Sequence, residues 1–438
     1  MRPFARLFLG LAFALLVCQP ASHAQESALP SPAVALFKDY PRPDVGLPFA
    51  DYTQAWPARW RRESSTIQGE IIPFAGPNRR PQSSRTFRPI PSDAPELTAP
   101  IEALRKAAGT EAGPSFRGER DNAFVYEVMT APQGREVPRS RRHDAALDFM
   151  FVSGTPADGD INDVVEIERT WFSLFEPIAP EDGDKQETRA VVLLMPGLFG
   201  SPGGTLDLLA SRLRRQGYAV LRMQAQPSRF TERARFVVKN DNIPAAAEAI
   251  ARVLSTRAAE CAYAAQAAFA HLAKVRPAYA SLPRIAIGFS GGAMTLPTVV
   301  AREPGPYAAC VMVGGGCHFW LMNDTSNYAA MIDAIETRWL DGPPTPEDKR
   351  RLADAYLGMA PLDSFHTAAA MRGRKALLIH GTLDKAVPAP LGDALWERLG
   401  RPERWEREYG HESLFMALPS DMGPMIDWLN AALSREEP

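Results

Sequence analysis

Cysteine is scarce in this chain of 438 residues, with only Cys18, Cys261, Cys310 and Cys317 present. That excludes a small scaffold stapled by disulfides. Three cysteines remain once the leader described below is removed, enough for one internal bridge at most. Cys310 and Cys317 flank an apolar run and Gly314-Gly315-Gly316, and cysteines along one strand do not easily close on each other. Histidine is also sparse, and no His or Cys pair has metal-site spacing, so neither a metal nor a cofactor is expected. An excess of one charge is missing too: 49 Lys+Arg face 51 Asp+Glu, a net charge of -2. This disfavours a nucleic-acid partner. Beyond the N-terminus no apolar run reaches 18 residues, so no later membrane-spanning helix is expected. Internal repeats and low-complexity tracts are absent. What is present is 45% hydrophobic and 23% charged residues, the profile of a globular chain with a sizeable core.

The N-terminus has the pattern of an export leader. Arg2 and Arg6 precede an apolar run over residues 7–18, and Ser22-His23-Ala24 supplies a small-x-small cleavage site. Residues 1–24 therefore read as a signal peptide, with the mature chain starting at Gln25 in the periplasm or outside the cell. After cleavage no stable membrane insertion is expected. Val17 before Cys18 is too large for a lipoprotein signal. Residues 25–118 read as a proline-rich N-terminal arm, with 13 prolines between positions 25 and 100. Aromatic residues in it, such as Trp56 and Trp60, argue that it packs on something. Residues 119–438 read as the catalytic domain.

Within that domain AFVYEVMT, ALDFMFVSG and VVEIERTWFSLFEP predict antiparallel strands. From residue 190 the pattern alternates. The apolar strands AVVLLMPG, YAVLRMQ, RIAIGFS, AACVMVGGG and ALLIHG are separated by helical stretches. The alanine-rich segment 244–278 predicts one long helix or two. RWEREYG and SDMGPMIDWLNAALSRE close the chain as strand and helix. This order predicts an α/β fold with a doubly wound, mostly parallel sheet. Residues 318–374 are too long for one crossover. They hold two helix candidates, SNYAAMIDAIETRWL and PEDKRRLADAYLGM, and read as a helical lid.

The chemistry centres on Gly288-Phe289-Ser290-Gly291-Gly292, a G-x-S-x-G run between an apolar strand and a helix. A sharp strand-to-helix turn exposes the serine oxygen above the sheet, and glycine tolerates the crowding around it. The helix that follows turns its N-terminus towards developing negative charge. A serine needs a base, and the base an orienting acid, in the order Ser, Asp or Glu, His. Asp384 follows the strand ALLIHG, and His411 follows a strand and a glycine. The predicted triad is Ser290, Asp384 and His411. The backbone N–H of Gly291 is one expected oxyanion donor, and that of Leu198, with Phe199 as alternate, is the second. Phe289, His318, Phe319 and Trp320 adjoin these loops and are candidates for an apolar substrate pocket. Arg229 and Phe230, after a strand's carboxyl end, are further candidates.

Together MPGLFGS, GFSGG, HGTLDKAVP and GHES resemble the α/β-hydrolase superfamily of serine hydrolases across about residues 188–436. HGTLDKAVP looks like the dienelactone-hydrolase and prolyl-oligopeptidase-like branch. Pro196-Gly197 stands where many members carry His-Gly, which bears on the second oxyanion donor. No β-propeller repeat precedes the hydrolase region. The resemblance implies a hydrolase of small-molecule or lipid-like carboxylic esters, working through an acyl-enzyme, and the leader implies its export. Peptidase or amidase activity, acyl transfer with the same triad, and a non-catalytic binding protein on this fold are the alternatives.

Overall fold

The computed structural model describes residues 68–74, 90–91, 145–156, 164–179, 187–198, 202–227, 229–303, 305–332 and 334–434. The predicted signal peptide, most of the arm, the AFVYEVMT segment and Phe199 lie outside the described residues.

The strands in chain order are β1 (Gln68–Phe74), β2 (Ile90–Pro91), β3 (Leu147–Pro156), β4 (Val164–Phe175), β5 (Ala190–Met195), β6 (Tyr218–Met223), β7 (Ala234–Val238), β8 (Arg284–Phe289), β9 (Tyr307–Val313), β10 (Ile335–Trp339), β11 (Lys375–Gly381) and β12 (Glu403–Arg407). Ten of them form one sheet in the order β1-β3-β4-β6-β5-β8-β9-β11-β12, with β2 also paired to β4. β3 and β4 are antiparallel, Leu147 facing Leu174 and Pro156 facing Val165. β1 pairs antiparallel with β3, so a stretch read as part of the arm forms the sheet edge. β4 meets β6 antiparallel. From β6 to β12 every pairing is parallel.

The central strands are apolar throughout because both faces are covered. Along β5, Val191, Leu193 and Met195 enter one core while Ala190, Val192 and Leu194 enter the other. The helices are α1 (Gly203–Arg215), α2 (Ile243–Val275), α3 (Gly291–Arg302), α4 (Phe319–Thr325), α5 (Ala329–Ile332), α6 (Pro346–Met359), α7 (Ser364–Thr367), α8 (Ala389–Arg398) and α9 (His411–Ser434). α1 and α9 cover the face of Val192 and Leu194; α2, α3, α6 and α8 cover the other. The alanine-rich segment is one helix of 33 residues. Its buried alanines, among them Ala247, Ala251, Ala264 and Ala268, let it lie close to its neighbours. The chain runs from β5 outward to β6, then crosses back to β8 on β5's other side. Such a reversal opens a crevice at the carboxyl ends of the strands.

The excursion at 318–374 has two parts. α4 and α5 stand at the crevice, whereas α6 and α7 are core. Leu352, Tyr356, Leu357 and Phe365 are fully or almost fully buried there. The predicted helix over SNYAAMIDAIETRWL is instead the short α5 followed by β10. Ile335, Thr337 and Trp339 favour a strand, which pairs in parallel with β7 as a separate two-stranded sheet. Buried Asp363 organises the excursion. Its carboxylate accepts from the backbone N–H groups of His318, Phe319 and Phe365 and from the Tyr356 hydroxyl, at 2.6–2.9 Å.

His318 is the N-cap of α4, in the left-handed region at φ 65°. It is buried and stacked on Tyr356, with ring centroids 5.2 Å apart. Burial lowers its pKa to about 4, outweighing the upward pull of Asp363; His366 adds a smaller downward push. Between the unperturbed value of 6.5 and 4 the unfolded chain takes a proton that the folded chain refuses. Stability is therefore full above about pH 6.5 and falls as the pH drops towards 4. His318→Asn keeps a capping acceptor that tolerates positive φ. It should recover about 2–3 kcal/mol of the acid-induced loss in urea unfolding compared at pH 7 and pH 4.5. An unchanged loss would exclude His318 as a source of acid sensitivity.

Candidate active site

Ser290 sits between β8 and α3 with φ 48° and ψ -115°, strained for a residue with a side chain. Its own N–H donates to the Val313 carbonyl at 2.9 Å, and its carbonyl accepts from Met294 N–H at 2.9 Å. The glycines around it are not equivalent. A Cβ on Gly288 would lie 2.6 Å from the Gly292 oxygen, and one on Gly292 would lie 2.5 Å from the Pro196 oxygen. At Gly291 it would meet the Leu198 side chain at 3.2 Å and the Leu198 backbone N at an ordinary 3.6 Å. Two glycines are thus demanded by backbone-to-backbone approach. The elbow helix presses directly on the loop after β5, and this contact sets Gly291 beside Leu198.

The structure brings Ser290, His411 and Asp384 together. His411 Nε2 is 2.9 Å from Ser290 Oγ, and His411 Nδ1 is 2.6 Å from Asp384 Oδ2. The second carboxylate oxygen of Asp384 accepts from Ala386 and Val387 N–H at 2.9 and 2.8 Å. Both His411 and Asp384 are buried. Their loops are tied to each other by the backbone. Thr382 N–H donates to Arg407 O at 2.9 Å, and Leu383 N–H to Tyr409 O at 3.2 Å. The imidazole is held between two aromatic rings, Phe415 at 4.8 Å and Tyr328 at 5.9 Å, both edge-on. The Tyr328 hydroxyl donates to Glu412, next to His411. Ser326 Oγ donates to Ala386 O at 2.6 Å and Asn327 N–H to Lys385 O at 2.9 Å, joining the α4–α5 turn to the acid loop.

Above Ser290 lies a narrow cleft, lined mainly by apolar side chains. Leu198, Phe230, Leu254, Met294, Phe319 and Met322 contribute, from five separate elements or loops. Of the four residues expected to build a pocket, only Phe319 lines this cleft. Phe289 points to the opposite core, with its ring 6.1 Å from that of Phe415. Trp320 is 1% exposed in the core under α4, and His318 turns back to cap that helix. A helix starting at His318 presents successive side chains in different directions, which separates Phe319 from its neighbours. Of the two further candidates, Phe230 lines the cleft; Arg229 pairs with Glu232 and is not among the lining residues. Leu254, Ala258, Met294, Met322 and Ile332 were missed. Leu254 and Ala258 carry the (i, i+4) signal of one helix face, but nothing local says what that face meets. Cys261, Cys310 and Cys317 are buried, and burial raises Cys310 to about 12. His380, inside β11, is buried and its pKa is lowered by burial.

A strained serine at the switch point of this sheet, backed by a histidine and a buried aspartate, defines a serine hydrolase of the α/β-hydrolase superfamily. Residues 255–409 match the prolyl oligopeptidase family, a segment that includes Ser290 and Asp384 and stops just short of His411. Similar solved structures include an esterase from Pyrococcus furiosus at 14% identity, over 61% of this chain and 88% of that one, with TM-score 0.37. An acylaminoacyl peptidase from Pyrococcus horikoshii is 12% identical over 62% of this chain and 40% of its own, with TM-score 0.41. Est1E from Butyrivibrio proteoclasticus is 12% identical over 64% and 99%, with TM-score 0.37. No curated protein matches the chain.

Gly292→Ala should lower stability by about 3 kcal/mol or more and take activity with it, because two carbonyl oxygens occupy the new methyl's position. Gly291→Ala should remain folded. Thermal unfolding of the two variants checks this, and a Gly292→Ala melting point equal to wild type would refute the backbone-contact argument.

Proposed function

We propose that the protein hydrolyses carboxylic esters that carry an apolar group, by acyl transfer to Ser290. The observation that carries this reading is the apolar cleft directly above Ser290 Oγ. Apolar walls stabilise an alkyl or aryl portion by removing its surface from water, at about 25 cal/mol per Å². His411 Nε2 takes the proton as Ser290 Oγ attacks the ester carbonyl carbon. Asp384 holds the imidazole tautomer and stabilises its cationic form. The carbonyl oxygen gains negative charge opposite the Gly291 and Leu198 N–H groups, with the N-terminus of α3 behind it. The proton on His411 then passes to the departing alcohol. Water, deprotonated by His411, releases the acid and restores Ser290.

Peptide or amide cleavage uses the same groups, and the match of residues 255–409 to the prolyl oligopeptidase family favours that second reading. Labelling with a fluorophosphonate probe should fall on Ser290 alone and vanish in Ser290→Ala. p-Nitrophenyl esters of medium chain length should be turned over with kcat/KM at least about 100-fold above peptide p-nitroanilides, the value of a few kcal/mol of discrimination. Comparable values would favour the peptidase. Labelling away from Ser290 would sink the catalytic assignment.

Export to the periplasm or the medium is part of the proposal, supported by the leader pattern over residues 1–24. Intact mass of protein recovered from the periplasm should correspond to a chain beginning at Gln25. A full-length mass from the cytosol would overturn it.

A further inference from the structure

Gln226 lies three residues beyond β6, away from the triad, and is 4% exposed. Its side-chain amide is bonded at both ends. Nε2 donates to the Pro196 carbonyl at 2.7 Å, and Oε1 accepts from Cys261 Sγ on α2 at 3.2 Å. A leucine or methionine would fill such a place without the cost of burying an amide. The polar pair therefore calls for an explanation at its other end, the Pro196 carbonyl.

That carbonyl belongs to the loop that carries Leu198. It also faces the elbow helix, 2.5 Å from the Cβ position of Gly292. Pro196 has no N–H to anchor the loop from its own side. Gly197, next along, leaves the chain free to rotate on its way to Leu198. The local sequence thus does not fix the direction of the Leu198 N–H. Gln226 constrains this stretch by holding the carbonyl of the Pro196–Gly197 peptide, which leaves only the Gly197 torsions between that held plane and the Leu198 N–H, and Cys261 fixes which end of the amide faces it.

We propose that Gln226 is a positioning residue for the oxyanion hole, setting the Leu198 N–H through the Pro196 carbonyl. This rests on the serine-hydrolase mechanism described above, with Leu198 as second donor. Its consequence is specific to states that carry the oxyanion. Interactions made only there raise kcat without tightening KM.

The test uses Gln226→Met, which keeps length and volume but removes the donor, alongside Gln226→Glu, which sets an acceptor against the Pro196 oxygen. Each is assayed on p-nitrophenyl butyrate and with an alkyl trifluoromethyl ketone. The ketone adds Ser290 Oγ to its carbonyl carbon, the serine proton passes to His411, and the ketone oxygen becomes the oxyanion. Losing a donor outright typically reduces kcat by about 10²–10³-fold. A displaced donor should reduce it by about 10- to 100-fold, with KM within about twofold and the ketone Ki raised by the same factor as kcat falls. Cys261→Ala, which removes the S–H donor without adding volume, should give a smaller change of the same sign in both quantities, and serves if the Gln226 variants do not fold. The proposal is overturned if kcat stays within about threefold of wild type, or if kcat falls while the ketone Ki does not follow. Ser290→Ala runs in parallel. Turnover surviving in it would remove the catalytic mechanism itself, whereas a dead Ser290→Ala beside wild-type Gln226 and Cys261 variants removes only the role of Gln226.

Discussion

The site depends on a contact between two stretches of backbone. Gly292, in the first turn of α3, lies against the carbonyl oxygens of Met195 and Pro196 at the end of β5, with no room for a methyl group. Adjacent parallel strands β5 and β8 deliver these segments side by side, Met195 opposite Gly288. Because α1 leaves β5 towards one face of the sheet and α3 leaves β8 towards the other, the two loops part just above this contact. The crevice between them is where Ser290 Oγ emerges. The strained φ of Ser290 is sustained by the hydrogen bond to Val313 and by the close packing of Gly288 against α3.

The base and its acid are held by a different device. Asp384 and His411 lie after neighbouring parallel strands, β11 and β12, so they reach the same end of the sheet. The two loops then share backbone hydrogen bonds, and Gly381 lies where a Cβ would be 2.6 Å from the Tyr409 oxygen. Arg407 and Asp421, joined by two hydrogen bonds, brace the end of β12 to α9, which opens with His411. The acid is thus fixed before it orients the base: one of its oxygens is committed to two backbone N–H groups, leaving the other for His411.

What was legible in the sequence follows from how local the physics is. The elbow could be read because an apolar strand, a tight turn and a helix occupy one short run around Ser290. Asp384 and His411 could be read because each follows its strand in the chain order the elbow demands. The cleft could not. Whether Phe289 or Phe319 faces the substrate depends on which side of a strand or helix each side chain leaves, and Phe289 leaves into the core beneath α9. The IETRW run looked helical beside the alanines of α5, yet it has a partner in ARFVV a hundred residues earlier, and pairing outweighed propensity. Gln226 was invisible for the same reason. A buried glutamine announces nothing until its two partners, from β5's loop and from α2, are known.

The division of labour between these parts bears on how the protein separates chemistry from choice of substrate. Ser290, Asp384 and His411 are placed by strand ends and by backbone contacts. The surfaces that would touch the rest of a substrate come instead from α2, α4, α5 and the loop after β6, through side chains such as Leu254, Phe319 and Ile332. α4 hangs from Asp363, whose carboxylate holds its first turn from within the core, and the turn after it is bonded to the acid loop at Ala386 and Lys385. Its roof over the serine is therefore joined at both ends to fixed structure. Side chains on that roof can change the shape of the cleft while the spacing of Ser290, His411 and Asp384 stays as the sheet sets it. Tyr328 is the exception, since it lines the cleft and also packs against His411. Through Tyr328 a change in the roof would reach His411 directly.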